Sequence, residues 1–184
     1  HKPEDHSKVM AYCDQLALAL RSQSYHHRPL VVDIDDRDIG GARGWEWIRK
    51  GVPIRLEIGP RDMAGDAVYM ARRDKGHKEK VSMPREQFIA RIGDLLDDIQ
   101  TNLFDRARTF RQAHTHELND KDAFTGFFTP QNSEKPEIHG GFALSHWCGS
   151  AECEKKIKEE LTVTIRCLPF DMPSEKGRCI CCGG

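Results

Sequence analysis

Six of the seven cysteines in this 184-residue chain fall after residue 147. They are Cys148, Cys153, Cys167, Cys179, Cys181 and Cys182, with Cys13 lying apart. A disulfide framework usually spreads an even number of cysteines along a short secreted chain, whereas two close pairs flanking a short substructure are the layout of a thiolate metal site. Here Cys148-x4-Cys153 and Cys179-x2-Cys182 are separated by 25 residues. Each pair fits on a tight turn and supplies two corners of a tetrahedron, so the spacing points to four-thiolate zinc. Four protein ligands leave no open coordination position, which makes the role structural. Ser150 suits the N-cap of a helix starting at Ala151, which puts Cys153 in the first turn, where the helix dipole favours thiolate. On spacing alone, Cys181 competes with Cys179 and Cys182, and His146 or His139 competes with any one sulfur. A disulfide or redox pair is the alternative chemistry. Cys13 and Cys167 read as core residues.

Hydrophobic periodicity sets out the rest of the chain. Val9, Met10, Cys13, Leu16, Ala17 and Leu20 recur at helical spacing over 8–20. "PLVVDID" (29–35) reads as a buried strand that runs into a charged, Gly-rich turn. "VPIRLEI" (52–58) alternates, with Val52, Ile54, Leu56 and Ile58 facing one way and Arg55 and Glu57 the other. "AVYMAR" and "EKVSM" form a hairpin around "RDKGHK". Pro84 precedes a long amphipathic helix with a stripe of Phe88, Ile89, Ile92, Leu95, Leu96, Ile99, Leu103, Ala107 and Phe110. Beyond it the pattern gives a short helix at 121–128, a loop, a strand "GFALSH", a helix at 151–160 and a strand "TVTIRCLPF". Strands that alternate with helices and then pair as hairpins define an α/β class. A boundary near residue 101 divides the chain into 1–101 and 102–184.

Composition narrows the function. Net charge is −1, with 38% hydrophobic and 31% charged residues, an ordinary soluble balance that names no partner. No apolar run approaches the roughly 20 residues needed to cross a bilayer, and the first residues carry no secretory pattern. The expectation is a cytoplasmic chain without a membrane partner. No P-loop, GxSxG or HExxH is present. One local patch stands out: Arg43, Arg49, Lys50, Arg55 and Arg61 against Glu46 and Glu57 give a net of +3 over 43–61, with Trp45 and Trp47 inside it. Cations bind phosphates and indoles stack on unpaired bases. Arg donates to guanine O6 and N7, and a carboxylate accepts from guanine N1 and N2. The same residues also suit a solvated strand face with the tryptophans in the core. "DIDDRD" offers either a metal site or a polar turn.

"DIDDRD", "WIRKGVPIRLEIGPRD", "NLFDRARTFRQAHTHE", "GGFALSHWCGSAECEKKIKEE" and "TIRCLPF…GRCICCG", in that order, resemble prolyl-tRNA synthetase of the archaeal/eukaryotic-like type, which some bacteria also use. The resemblance covers nearly the whole chain. It implies a mixed-sheet class II anticodon-binding domain followed by a small α/β zinc-binding domain. It implies a C-terminal piece of an enzyme that ligates proline to its tRNA using ATP and Mg²⁺ as a homodimer, with the class II catalytic domain outside the chain. Proline anticodons end in two guanines, which suits a reader built from Arg and Glu. Carried over by position, Arg55 and Arg61 are the foremost base-reading candidates, with Glu57 behind them and Trp45 and Trp47 in the aromatic stretch before "KGVP". The zinc ligands carry over as Cys148, Cys153, Cys179 and Cys182, and Cys181 stands where many members lack cysteine. The loop at 39–47 is about two residues shorter than in many members. A reading of a different class is a free-standing zinc-binding RNA or protein interaction module without catalytic activity.

Overall fold

The computed structural model describes residues 3–132, 134, 141–172 and 176–184. It divides into two compact units, His1–Arg106 and Ala107–Gly184. Among the described residues no helix is long and apolar enough to cross a membrane.

The first unit is built on an antiparallel three-stranded sheet with helices packed against it. Helix α1 (Pro3–Arg21) precedes a short hairpin, β1 (Ser24–Tyr25) and β2 (Arg28–Pro29). Helix α2 (Ala42–Lys50) leads into β3 (Ile54–Glu57), helix α3 (Pro60–Ala64), β4 (Ala67–Arg72) and β5 (Lys80–Pro84). The sheet order is β3-β4-β5, with Arg55 opposite Ala71 and Met70 opposite Val81. Leu16 and Leu20 of α1, Val68 and Met70 of β4, and Phe88, Ile92 and Leu95 form the buried core. Ile54, Leu56 and Ile58 pack against it from the face that the alternation in 52–58 marks. Tyr12 lies buried beside this cluster and donates its hydroxyl to the Ala67 carbonyl at 3.0 Å, so a polar tip is accommodated at the core edge.

Three features depart from the sequence-based reading. The segment 30–39 forms no strand, and the paired strands of this unit are all antiparallel. Leu30 and Val32 do pack on the core, but the Val32 carbonyl accepts from the Arg21 guanidinium instead of a neighbouring strand. The long helix is broken. Helix α4 (Arg85–Ala90) ends at Arg91, and helix α5 (Ile92–Ala113) starts immediately after. The 39–47 stretch is not a loop but contains most of α2, whose first half has no apolar stripe to reveal it.

The second unit contains β6 (Thr115–Glu117), helix α6 (Lys121–Phe128), β7 (Phe142–Leu144) and helix α7 (Ala151–Leu161). Strands β6 and β7 pair in parallel, with His116 opposite Ala143. Asp120 caps α6 by accepting from the Ala123 N–H, and Ser150 caps α7 by accepting from the Glu152 N–H, the capping role its position indicates. The core holds Phe124, Ile157, Cys179, Ile180 and Cys181, with Trp147, Cys153 and Val163 packed on it. The run 162–170 is unpaired, not a strand. Its Cys167 is exposed, which corrects the core assignment, because no ladder fixes which face of the segment points inward.

Candidate nucleic-acid interface and cysteine centre

The basic, aromatic segment folds into α2, β3 and α3. Helix α2 has no buried residue. Trp45 is 57% exposed, with its ring 6.0 Å from that of His77. Trp47 is only half-buried and is committed locally: its Nε1 donates to Asp35 Oδ2 at 2.7 Å, and Lys50 Nζ sits 4.1 Å from its ring centroid. The helix ends on Gly51 at φ 83, a left-handed cap that favours glycine. Arg73 donates to the Gly51 carbonyl at 2.7 Å and ties this end to the β4–β5 hairpin. From β3, Arg55 reaches across to donate to the Gly44 carbonyl at 3.1 Å. Arg55 therefore lies against the helix that carries Trp45. Glu57 is held by Lys80, whose Nζ donates to both carboxylate oxygens at 2.7 Å. Arg61 projects from the short α3, exposed and without a side-chain partner among the described residues.

"DIDDRD" forms a polar segment tied both to itself and to α2. Arg37 makes a two-pronged ion pair with Asp35 (2.9 and 2.8 Å) and also reaches Glu46 at 2.9 Å. Arg37 lowers the Asp35 pKa well below the usual carboxylate range; burial opposes this and the Trp47 indole adds to it. These side-chain bonds carry no periodicity, which is why Asp35, Arg37 and Lys80 escape a reading of the sequence alone.

The two cysteine pairs converge. The sulfurs of Cys148, Cys153, Cys179 and Cys182 all lie within 4.8 Å of one another, and those of Cys148 and Cys153 are 3.6 Å apart. A tetrahedral zinc with Zn–S of about 2.3 Å requires sulfurs about 3.8 Å apart, so the donor set fits a thiolate-bound ion. Glycines make the turns: Gly149 (φ 82) follows Cys148, and Gly183 (φ 78) follows Cys182. The second turn is closed by the Gly183 N–H donating to the Cys179 carbonyl at 2.9 Å, and it is joined to the first by the Ile180 N–H donating to the His146 carbonyl at 2.9 Å. Burial opposes ionisation of Cys179, but backbone N–H groups of Cys182, Cys181 and Cys148 outweigh it and bring its pKa down to about 6. Cys153 is pushed the other way, first by hydrogen bonding with the Cys148 thiol, then by burial and by the other three cysteines. Cys181 is 8% exposed in the same core and bonds to Cys153, but it is not one of the four mutually close sulfurs. His146 packs its ring against Gly177, where an added Cβ would collide with it. His139 lies outside the described residues.

This fold and these sites have known counterparts. Residues 3–95 match the family described as the anticodon binding domain, and the chain belongs to that family. Residues 134–184 match a second family, described as prolyl-tRNA synthetase, C-terminal, so over its length the chain corresponds to the C-terminal region of prolyl-tRNA synthetases. The proline–tRNA ligase of Protochlamydia amoebophila is 48% identical over 99% of this chain, and proline–tRNA ligase 2 of Anaeromyxobacter dehalogenans is 48% identical over 97%. The chain spans 36% of the length of each. The fold is also that of a prolyl-tRNA synthetase from Cryptosporidium parvum solved with L-proline and AMP. That match has a TM-score of 0.67 and 21% identity, over 96% of this chain and 35% of the other.

Proposed function

We propose that this chain is the tRNA-reading and zinc-stabilised part of an enzyme that ligates proline to its tRNA. The observation that carries the reading is the 48% identity to proline–tRNA ligases, which runs through both units. In this reading the first unit holds the proline anticodon stem-loop. Arg55 and Arg61 donate to the two anticodon guanines, and the exposed Trp45 stacks on an unpaired base. Trp47 anchors the helix beneath that stack. Glu57 reads guanine only if Lys80 gives up its carboxylate, which ranks it last. The four cysteines hold a structural zinc that cross-links the second unit and supplies no chemistry to the ligation. ATP and Mg²⁺ serve the activation of proline in a part of the enzyme outside this chain. The archaeal/eukaryotic-like type and the homodimer rest on the sequence resemblance, the cytoplasmic location on composition, and the boundary at 101/102 on the residue pattern.

The test is binding of a short RNA hairpin carrying a proline anticodon loop, compared with the same hairpin with both guanines changed to adenine. The expected result is tighter binding of the first. Arg55→Ala and Arg61→Ala should each cost about 1–3 kcal/mol and narrow the discrimination. Equal binding of the two hairpins by the unmodified chain would overturn base reading here.

A further inference from the structure

Helix α2 raises a physical problem. It is nine residues long, has no side-chain N-cap and buries none of its residues. Isolated helices of this length are marginal in water, and α2 contributes nothing buried to the core. Arg73 and Arg55 tether its backbone at Gly51 and Gly44, and its side chains are held by charged hydrogen bonds to the strandless segment before it. The two oxygens of Asp35 accept from four donors: Arg37 N at 3.2 Å, Arg37 Nε at 2.9 Å, Arg37 Nη2 at 2.8 Å and Trp47 Nε1 at 2.7 Å. A carboxylate offers about four acceptor sites, so Asp35 has none left for a base or a cation. Arg37 extends the same strap to Glu46, and Arg43 closes it by donating to the Asp35 carbonyl at 3.0 Å and the Arg37 carbonyl at 2.8 Å. The Asp35 side chain is 11% exposed.

We infer that Asp35, acting with Arg37, is the positioning residue of the RNA-reading surface: it fixes the orientation of α2, and with it Trp45, the stacking surface. This rests on the anticodon-reading function proposed above. Asp35 touches no base. Its loss therefore displaces Trp45, whose stacking tolerates any base, while Arg55 and Arg61 stay on β3 and α3, so binding weakens by a similar factor for every sequence. A base-reading residue acts differently, because its loss narrows the gap between matched and mismatched RNA.

The experiment measures binding of the guanine-containing and adenine-substituted hairpins to the unmodified chain, Asp35→Asn and Arg37→Gln. It is accompanied by thermal unfolding and by hydrogen exchange of residues 42–50. Asn keeps the shape of Asp35 but turns donors toward Arg37. The expected result is about tenfold weaker binding of both hairpins, on the scale of one charge-assisted hydrogen bond. The guanine preference is retained, exchange in α2 is faster, and the melting temperature is unchanged. Unchanged binding by Asp35→Asn, or a collapsed guanine preference, overturns the positioning role while leaving the anticodon reading intact. If Asp35→Asn lowers the melting temperature broadly, Arg37→Gln decides, since Arg37 is half-exposed: normal binding by that variant overturns the role. If the unmodified chain shows no guanine preference, the anticodon reading fails and the positioning role fails with it.

Discussion

Replacing one metal-binding candidate, Cys153→Ser, should unfold the second unit and leave the first in place. The magnitude follows from the two cores. In the second unit the buried apolar side chains are Phe124, Ile157 and Ile180, accompanied by Cys179 and Cys181. Full burial of a Phe or Ile contributes about 1.5–3 kcal/mol each, so the three together supply roughly 6 kcal/mol. A structural zinc in a thiolate site supplies about 10–16 kcal/mol in small modules, and so outweighs that core. The first unit has its own core of seven buried residues, which includes none of the four clustered cysteines. The assay is hydrogen exchange followed by mass spectrometry on the unmodified chain, the chelator-treated chain and Cys153→Ser, with elemental analysis of each. Peptides from 142–161 and 176–184 should lose protection, while peptides covering Leu16, Val68 and Phe88 should not change. An unmodified chain that carries no metal, or a loss of protection spread evenly over both units, would refute the reasoning.

Two further outcomes concern the first unit. Phe88 is 1% exposed at the centre of its core, so Phe88→Ala should lower stability by about 3–5 kcal/mol in a urea titration while the cysteine unit keeps its metal. Asp74 is buried where the β4–β5 hairpin meets α5 and accepts from Arg72 and from Asn102 at 2.8 Å. Burial works against its ionisation, but the bonds from Arg72 and then Asn102 prevail and its pKa is lowered. The carboxylate therefore contributes stability above the unfolded value of about 3.9, and that contribution is lost as pH falls below it. Urea midpoints taken at about pH 6 and pH 3 should fall less steeply in Asp74→Asn than in the unmodified chain; an identical fall would show that Asp74 is not linked to folding.

The parts of the fold that were legible in the sequence are those whose burial is periodic. Helix α1, the alternation across β3, the β4–β5 hairpin, α6 and α7 all present one apolar face to a core, and the residue pattern records that face directly. The illegible parts obey other constraints. Helix α2 is held by ion pairs and buries nothing, so it leaves no stripe. The β-branched runs at 29–35 and 162–170 carry strand propensity, yet a strand requires a partner, and in the first run the Val32 carbonyl is taken by Arg21. Strand β6 is three residues paired in parallel with a segment about 27 residues further on, too short and too remote to show as a pattern. For the site, cysteine spacing marked the two pairs, because turn geometry is local, but it left Cys181, His146 and His139 in competition, and only the family resemblance singled out the four sulfurs that come together. Which of Trp45 and Trp47 faces solvent was not legible, since it depends on Asp35, ten or more residues away.

The two units place their functional groups differently with respect to their cores. In the second unit Cys179 is one of the four clustered sulfurs and also a core residue, with Ile180 and Cys181 buried directly after it. In the proposed zinc-bound form, holding the metal and closing the core are one event, so any change to the cluster is felt as stability. In the first unit the exposed Trp45, the strap at Asp35 and the exposed Arg61 all lie outside the buried cluster. Surface groups that share no partner with a core contribute independently of it. Combining Asp35→Asn with Phe88→Ala should therefore add the loss of binding from one to the loss of stability from the other, because Asp35 lies outside the buried cluster that holds Phe88. That separation permits the surface proposed to meet RNA to vary in sequence without destabilising the scaffold beneath it, whereas the cysteine turns have no such freedom.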